Sequence, residues 1–223
     1  PGQVVVTPDA LCALVRGYTR EAGVRELERQ IGALLRHVAM RIAAGTASSV
    51  RIAHDDLPRI LGAPRHENEV ALRMGMPGVA TALAWSPVGG DILFIEATCT
   101  PGAGRLTLTG QLGEVMRESA QAALTLLKAR AATLGIDASV FERSDLHIHV
   151  PAGARPKDGA SAGAAIFAAL ASLLLDRPLR GDTALSGEIS LRGLVLPVDG
   201  LREKVVAAAA AGITRVLLPA RNR

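Results

Sequence analysis

Over the first sixty residues the apolar positions recur at helical spacing. Thr7, Pro8 and Asp9 read as an N-cap followed by a proline and an acid in the first turn, opening a helix through Leu11, Leu14 and Val15. A longer helix carries Leu27, Ile31, Leu34, Leu35, Val38 and Ile42 three or four residues apart, and Gly45 stops it. Each helix has one apolar face and therefore needs something to pack on. A short stretch at 50–52 and a brief helix around 56–61 complete this part, and the segment from Gly62 to Gly78, with Pro64 and Pro77, reads as a linker.

Beyond the linker the period changes. Residues 79–85, 91–98 and 105–109 have β-type composition or alternation, with Gly89-Gly90 and Pro101-Gly102 as turn signals between them. A helix over 112–134, a strand over 145–150 and an Ala-rich helix over 161–175 follow. Residues 184–198 read as a hairpin or pair of strands around Arg192-Gly193, then 201–211 as a helix and 215–218 as a last strand. Strands and helices are mixed without strict alternation, which predicts an α+β fold rather than a doubly wound sheet.

Of the 223 residues 49% are hydrophobic and 21% charged, a globular balance. No apolar run reaches the ~18 residues of a membrane span, and no basic-then-apolar leader opens the chain. A soluble, intracellular protein with no membrane partner is expected. Cys12 and Cys99 can form at most one bridge and have no His or Cys partner at metal-ligand spacing, so neither a disulfide scaffold nor a metal site is expected. The net charge of +4 divides into +3 over 1–65 (9 basic, 6 acidic) and +1 beyond (16 basic, 15 acidic). That excess permits a weak DNA contact without arguing for one. At 2%, aromatic residues are too few for a base-stacking platform.

Of the 25 basic residues 22 are Arg, leaving Lys128, Lys157 and Lys204. Lysine can lose its proton when buried and arginine cannot, so these three are candidates for proton chemistry. The window Pro156-Lys157-Asp158-Gly159-Ala160-Ser161-Ala162-Gly163 places one hydroxyl, Ser161, at a helix start with almost no bulk around it. Ser161 is then either a nucleophile open to a substrate carbonyl or an N-cap serine on an Ala-rich helix. The same string matches the nucleophile elbow of α/β hydrolases, but His37, His54, His66, His147 and His149 all precede Ser161, which is the wrong chain order. His147 and His149 alternate as strand residues and read as structural. If no histidine serves, a lysine is the other base available to a serine. Lys157 sits in the turn, where solvent would keep it charged. Lys204 instead interrupts an apolar stripe of Leu201, Val205, Ala208 and Ala211. It is either buried, with a depressed pKa, or snorkelling at the stripe's edge. No lysine follows a glycine, so the chain has no P-loop.

In order along the chain, these motifs resemble the peptidase domain of the Lon protease family. They are Leu83-Ala84-Trp85 with Val88-Gly89-Gly90-Asp91, Leu112 to Ser119, His147 to Lys157 with Asp158-Gly159 and Ser161-Ala162-Gly163, Gly187-Glu188-Ile189 with Leu191-Arg192-Gly193, and Leu201-Arg202-Glu203-Lys204. The resemblance implies a Ser-Lys dyad, with Ser161 the nucleophile and Lys204 its general base. Ser186 stands where the family has a threonine that bonds the lysine, and Asp158, Gly159 and Ala160 form the loop before the nucleophile. Ala160 replaces a usual proline, and Asp199 a common glycine. Tyr18-Thr19-Arg20-Glu21-Ala22-Gly23-Val24-Arg25 with Leu27-Glu28-Arg29 resembles the small helical subdomain of the family's AAA+ module, where Arg25 would sense nucleotide in the full-length protein only.

The organisation so implied is a helical AAA+ small (α) subdomain over 3–62, a linker over 63–78 and an α+β Ser-Lys peptidase domain over 79–223. Starting at Pro1, the chain looks like a fragment of a longer Lon. The implied activity is endopeptidase cleavage of unfolded or damaged proteins. This fragment would need no cofactor and no metal, whereas ATP and Mg²⁺ and a homo-hexameric ring are implied for the full-length protein. The rival is a catalytically silent Lon-like ring scaffold or DNA-contacting module, against which stands the presence of both Ser161 and Lys204.

Overall fold

The computed structural model describes residues 2–19, 21, 23–64, 75–86, 89–151 and 156–222. They belong to two units, residues 1–68 and 69–223, each with a core of its own.

In the first unit, β1 (Val4–Val6) leads through Thr7 into α1 (Pro8–Tyr18), and the Thr7 hydroxyl accepts from Ala10 N–H at 3.2 Å, as an N-cap should. Next come α2 (Arg25–Ala43), β2 (Val50–Ile52) and α3 (Leu57–Leu61). Leu14, Leu34, Val38, Ile52 and Leu57 fill the core, each contributing roughly 1.5–3 kcal/mol of burial. The buried stripe is narrower than the spacing suggests, since Leu11, Val15 and Leu35 are exposed. The sequence also conceals a parallel pairing, Val4↔Val50 to Val6↔Ile52, because three-residue strands are too short to show a period.

The second unit is built on a six-stranded mixed sheet of order β10-β7-β3-β4-β6-β5. Its strands are β3 (Val79–Ser86), β4 (Gly89–Pro101), β5 (Leu106–Thr109), β6 (Ser144–His149), β7 (Thr183–Leu185) and β10 (Arg215–Leu217). The β3–β4 and β4–β6 pairs are antiparallel, whereas β5–β6, β3–β7 and β7–β10 are parallel. Between them lie α4 (Glu114–Leu134), a short α5 (Val140–Arg143), α6 (Gly163–Leu174) and α7 (Leu201–Ala210). Alternation along β3 and β4 sends Ala80, Ala82 and Ile95 into a core with Leu127, Ile166 and Leu170 of α4 and α6. Leu83, Ile92 and Phe94 point the other way and meet Ala208 of α7. A Cβ on Gly90 would lie 2.0 Å from the Glu203 carbonyl oxygen, so the absence of a side chain there is what lets α7 settle on β4.

The α+β class therefore stands, with corrections in detail. Gly89 and Gly90 are not a turn but the first residues of β4, opposite Ser86 and Trp85, and the connection falls on residues 87–88, outside the described residues. Residues 184–198 hold the expected hairpin around Arg192-Gly193, over narrower bounds. Here β7 joins the large sheet, while β8 (Glu188–Ile189) and β9 (Val195–Leu196) make a separate antiparallel ribbon. Most of the expected linker, residues 65–74, also lies outside the described residues. Among the described residues no helix is long and apolar enough to cross a membrane.

Candidate active site

Ser161 lies in a short 3₁₀ turn, Ala160–Ala162, that runs directly into α6. Gly159 enters the turn at φ 130°, a backbone region natural to glycine. A Cβ on Gly163 would sit 2.7 Å from the Ser119 hydroxyl and 3.1 Å from Ile189 N, so the small residues that mark this segment in the sequence are required by close packing. The Ser119 hydroxyl donates to the Ala160 carbonyl at 3.3 Å.

The loop before Ser161 is anchored by Asp158. Its Oδ1 accepts from Met116 N–H and Gly159 N–H, both at 2.9 Å. Helix α4 begins after Gly113, which has no side chain to cap it, and a Cβ there would lie 2.3 Å from Asp158 Cγ. Asp158 thus caps α4 from another part of the chain, and its charge suits the positive end of the helix dipole.

From the other side, β7 delivers Ser186 and Gly187. Gly187 N–H donates to the Ser161 carbonyl at 2.8 Å, Ala164 N–H donates to the Gly187 carbonyl at 3.0 Å, and Ser186 N–H donates to the Leu217 carbonyl at 3.1 Å. The Ser186 side chain is 1% exposed and its hydroxyl has no hydrogen-bond partner. A buried hydroxyl left unpaired costs about 1–3 kcal/mol, so a native one calls for an explanation.

Lys204, one turn into α7, is 2% exposed. Burial holds its pKa below the ordinary lysine value, and the negative charge of exposed Asp199 opposes that shift. Among the described residues no hydrogen bond or ion pair holds the Lys204 amine. The burial expected of Lys204 is therefore seen, although Val205, placed on the same stripe, is exposed. Ser161 Oγ and Lys204 Nζ do not hydrogen-bond each other in this structure. Links of this kind are often long in sites without substrate and close in the Michaelis complex.

Lys157 corrects an expectation. It is not solvated but 7% exposed, with Nζ donating to the Gly110 carbonyl at 2.9 Å and the Val150 carbonyl at 3.2 Å. Burial lowers its pKa as well. Two carbonyl acceptors favour the ammonium form, which makes Lys157 a poorer base than Lys204. The Thr109 hydroxyl lies 2.8 Å from His147 Nε2 and 2.7 Å from His149 Nδ1, so both histidines are tied to a neighbouring strand. Arg25 is exposed at the first position of α2 in the other unit. Among the described residues no group of three or more His, Cys, Asp or Glu could hold a metal ion.

Comparison with known proteins shows the family. Residues 51–223 match the Lon protease C-terminal proteolytic domain, and residues 1–50 the Lon protease AAA+ ATPase lid domain. The chain is 67% identical over 223 residues to the Lon protease of Methylocella silvestris, covering 100% of this chain and 28% of the relative. It is 69% identical over 221 residues to that of Phenylobacterium zucineum (99% and 28%), and 54% identical over 222 residues to Lon protease 2 of Thermus thermophilus (100% and 28%). It thus spans a little over a quarter of the length of these relatives. A turn of tiny residues presenting a serine, a buried lysine with no ion pair among the described residues and family matches over the whole chain lead to one conclusion: the chain belongs to the Lon protease family.

Proposed function

We propose that residues 79–223 form a serine endopeptidase domain in which Ser161 attacks the scissile carbonyl and Lys204 is the general base. The observation that carries this reading is a lysine 2% exposed and with no ion pair among the described residues. Such a group is held toward the free amine, the form able to take the Ser161 proton. Ser161 then forms an acyl-enzyme, and the same amine activates the water that releases it. Ser186 steers the Lys204 amine with its otherwise unpaired hydroxyl. Asp158, Gly159 and Ala160 set the turn that presents Ser161.

Residues 3–62 serve as the small helical subdomain of an AAA+ module and 63–78 as its linker. In the full-length protein this arrangement works as an ATP-dependent, cytoplasmic homo-hexamer that degrades unfolded or damaged proteins. Arg25 contributes to nucleotide sensing there, but a single exposed guanidinium does not hold ATP, and no step of peptide hydrolysis passes through it. The test is cleavage of a fluorogenic peptide. Ser161→Ala and Lys204→Arg should each abolish turnover with folding retained, since alanine suits a helix start and arginine supplies no lone pair. Turnover in either folded variant would overturn the assignment, and a silent wild-type protein that binds DNA would favour the scaffold reading.

A further inference from the structure

Among the described residues, chemistry at Ser161 and Lys204 leaves one buried charged group unused, and it lies next to backbone at positive φ. Gly110 and Gln111 both have positive φ, 111° and 55°, the second rare for a residue with a side chain. A Cβ on Gly110 would come within 2.2 Å of the Val150 carbonyl oxygen. The backbone at Gly110 thus runs against the Val150 carbonyl, and the Lys157 ammonium donates to the carbonyls of both residues. The same residue is stitched in by its main chain, with Lys157 N–H donating to the Gln111 carbonyl at 3.1 Å and Gly113 N–H donating to the Lys157 carbonyl at 2.8 Å. The next residue, Asp158, caps α4.

We propose that Lys157 is a positioning residue whose ammonium latches the ends of β5 and β6 together and so fixes the turn that presents Ser161. Without the cation, the two carbonyls lose their shared donor and the Gly110–Gln111 backbone, held at positive φ, relaxes. The segment 157–161 then loses its register on α4. The effect reaches Ser161 through Asp158 and Gly159, not through contact of Lys157 with substrate. As a statement about catalysis it rests on Ser161 being the nucleophile, while the latch itself is a structural fact that can be tested separately.

The experiment compares wild-type protein with Lys157→Met, which keeps chain length and removes the charge. Two measurements are made: amide hydrogen exchange and steady-state peptide cleavage normalised to sites titrated by a peptide boronate. Exchange at the amides of Gly113, Met116 and Gly159 should rise at least tenfold while that of α6 stays unchanged. The kcat per titrated site should fall at least thirtyfold with KM within threefold. A merely structural role would lower the titratable fraction and leave kcat per site alone. Lys157→Arg, which retains a cation, should keep more activity than Lys157→Met. Unchanged exchange at the three amides, or kcat per site within threefold of wild type, overturns the latch. Should Lys157→Met not fold, Gly110→Ala probes the same contact with Lys157 intact, since its Cβ must push the Val150 carbonyl away. Wild-type exchange and kcat in that variant overturn the proposal equally. Cleavage persisting in Ser161→Ala would sink the serine assignment alone, with the exchange data still deciding the latch.

Discussion

Ser186→Ala should make the protein more stable and less active. The Ser186 hydroxyl is buried and unpaired, so its removal recovers the desolvation penalty of such a group, about 1–3 kcal/mol. The missing oxygen leaves a void of about 12 Å³, which costs about 0.3 kcal/mol. The net gain is about 0.7–2.7 kcal/mol, and for a unit of residues 69–223 this raises Tm by about 1–11 °C at roughly 2–4 °C per kcal/mol. If the hydroxyl steers the Lys204 amine in the working enzyme, its loss removes one hydrogen bond of about 0.5–1.5 kcal/mol, a fall in kcat of roughly two- to twelvefold. Calorimetry and a peptidase assay on the same preparation read both numbers. A lowered Tm would mean that the hydroxyl is satisfied in solution, and unchanged kcat would remove Ser186 from the site.

Four further outcomes follow from the same contacts. Peptidase activity should rise toward alkaline pH as Lys204 loses its proton, and a pH–rate profile rising near ~6.5, the value of a free histidine, would point to another base. Because the folded-state pKa of Lys204 is depressed, the unfolded chain binds more protons between that value and the unfolded ~10.4, and stability rises with pH across that window. Lys204→Met should flatten that rise in denaturant titrations at several pH values, and an unaltered slope would refute the burial argument. Asp158→Ala should cost about 1 kcal/mol through the lost cap of α4 and also lower kcat, whereas Asp158→Asn should recover part of both. Gly163→Ala, with its Cβ 2.7 Å from Ser119 Oγ, should destabilise the domain by about 1–3 kcal/mol, and Ser119→Ala in the same chain should relieve it.

The features legible in the sequence are those set by side-chain type at short range. Lys204 on an apolar stripe and Ser161 among tiny residues needed only helical spacing and bulk. By contrast, the burial of Lys157 depends on two backbone carbonyls at positions 110 and 150 that no pattern around residue 157 announces. The role of Asp158 as a cap for α4 likewise depends on a helix start some 42 positions away. A trace of it is visible in retrospect, in a helix opening on Gly113 with no Ser, Thr, Asp or Asn in the N-cap position. Gly89 and Gly90 misled for a related reason. Glycine is the commonest turn signal, yet Gly90 makes room for α7, a tertiary requirement that outweighs local preference.

The bond from Ser186 N–H to the Leu217 carbonyl also bears on how the protein fails under heat. Strand β10 is three residues long and lies at the edge of the sheet, held there by β7. Short edge elements open locally at a free energy well below that of global unfolding. Opening of β10 would release Ser186 and, through Gly187, loosen the grip on the Ser161 carbonyl while the core between α4, α6 and the sheet remains packed. Loss of peptidase function on warming should therefore run ahead of the cooperative melt, as a reversible sub-global step centred on the sheet's margin.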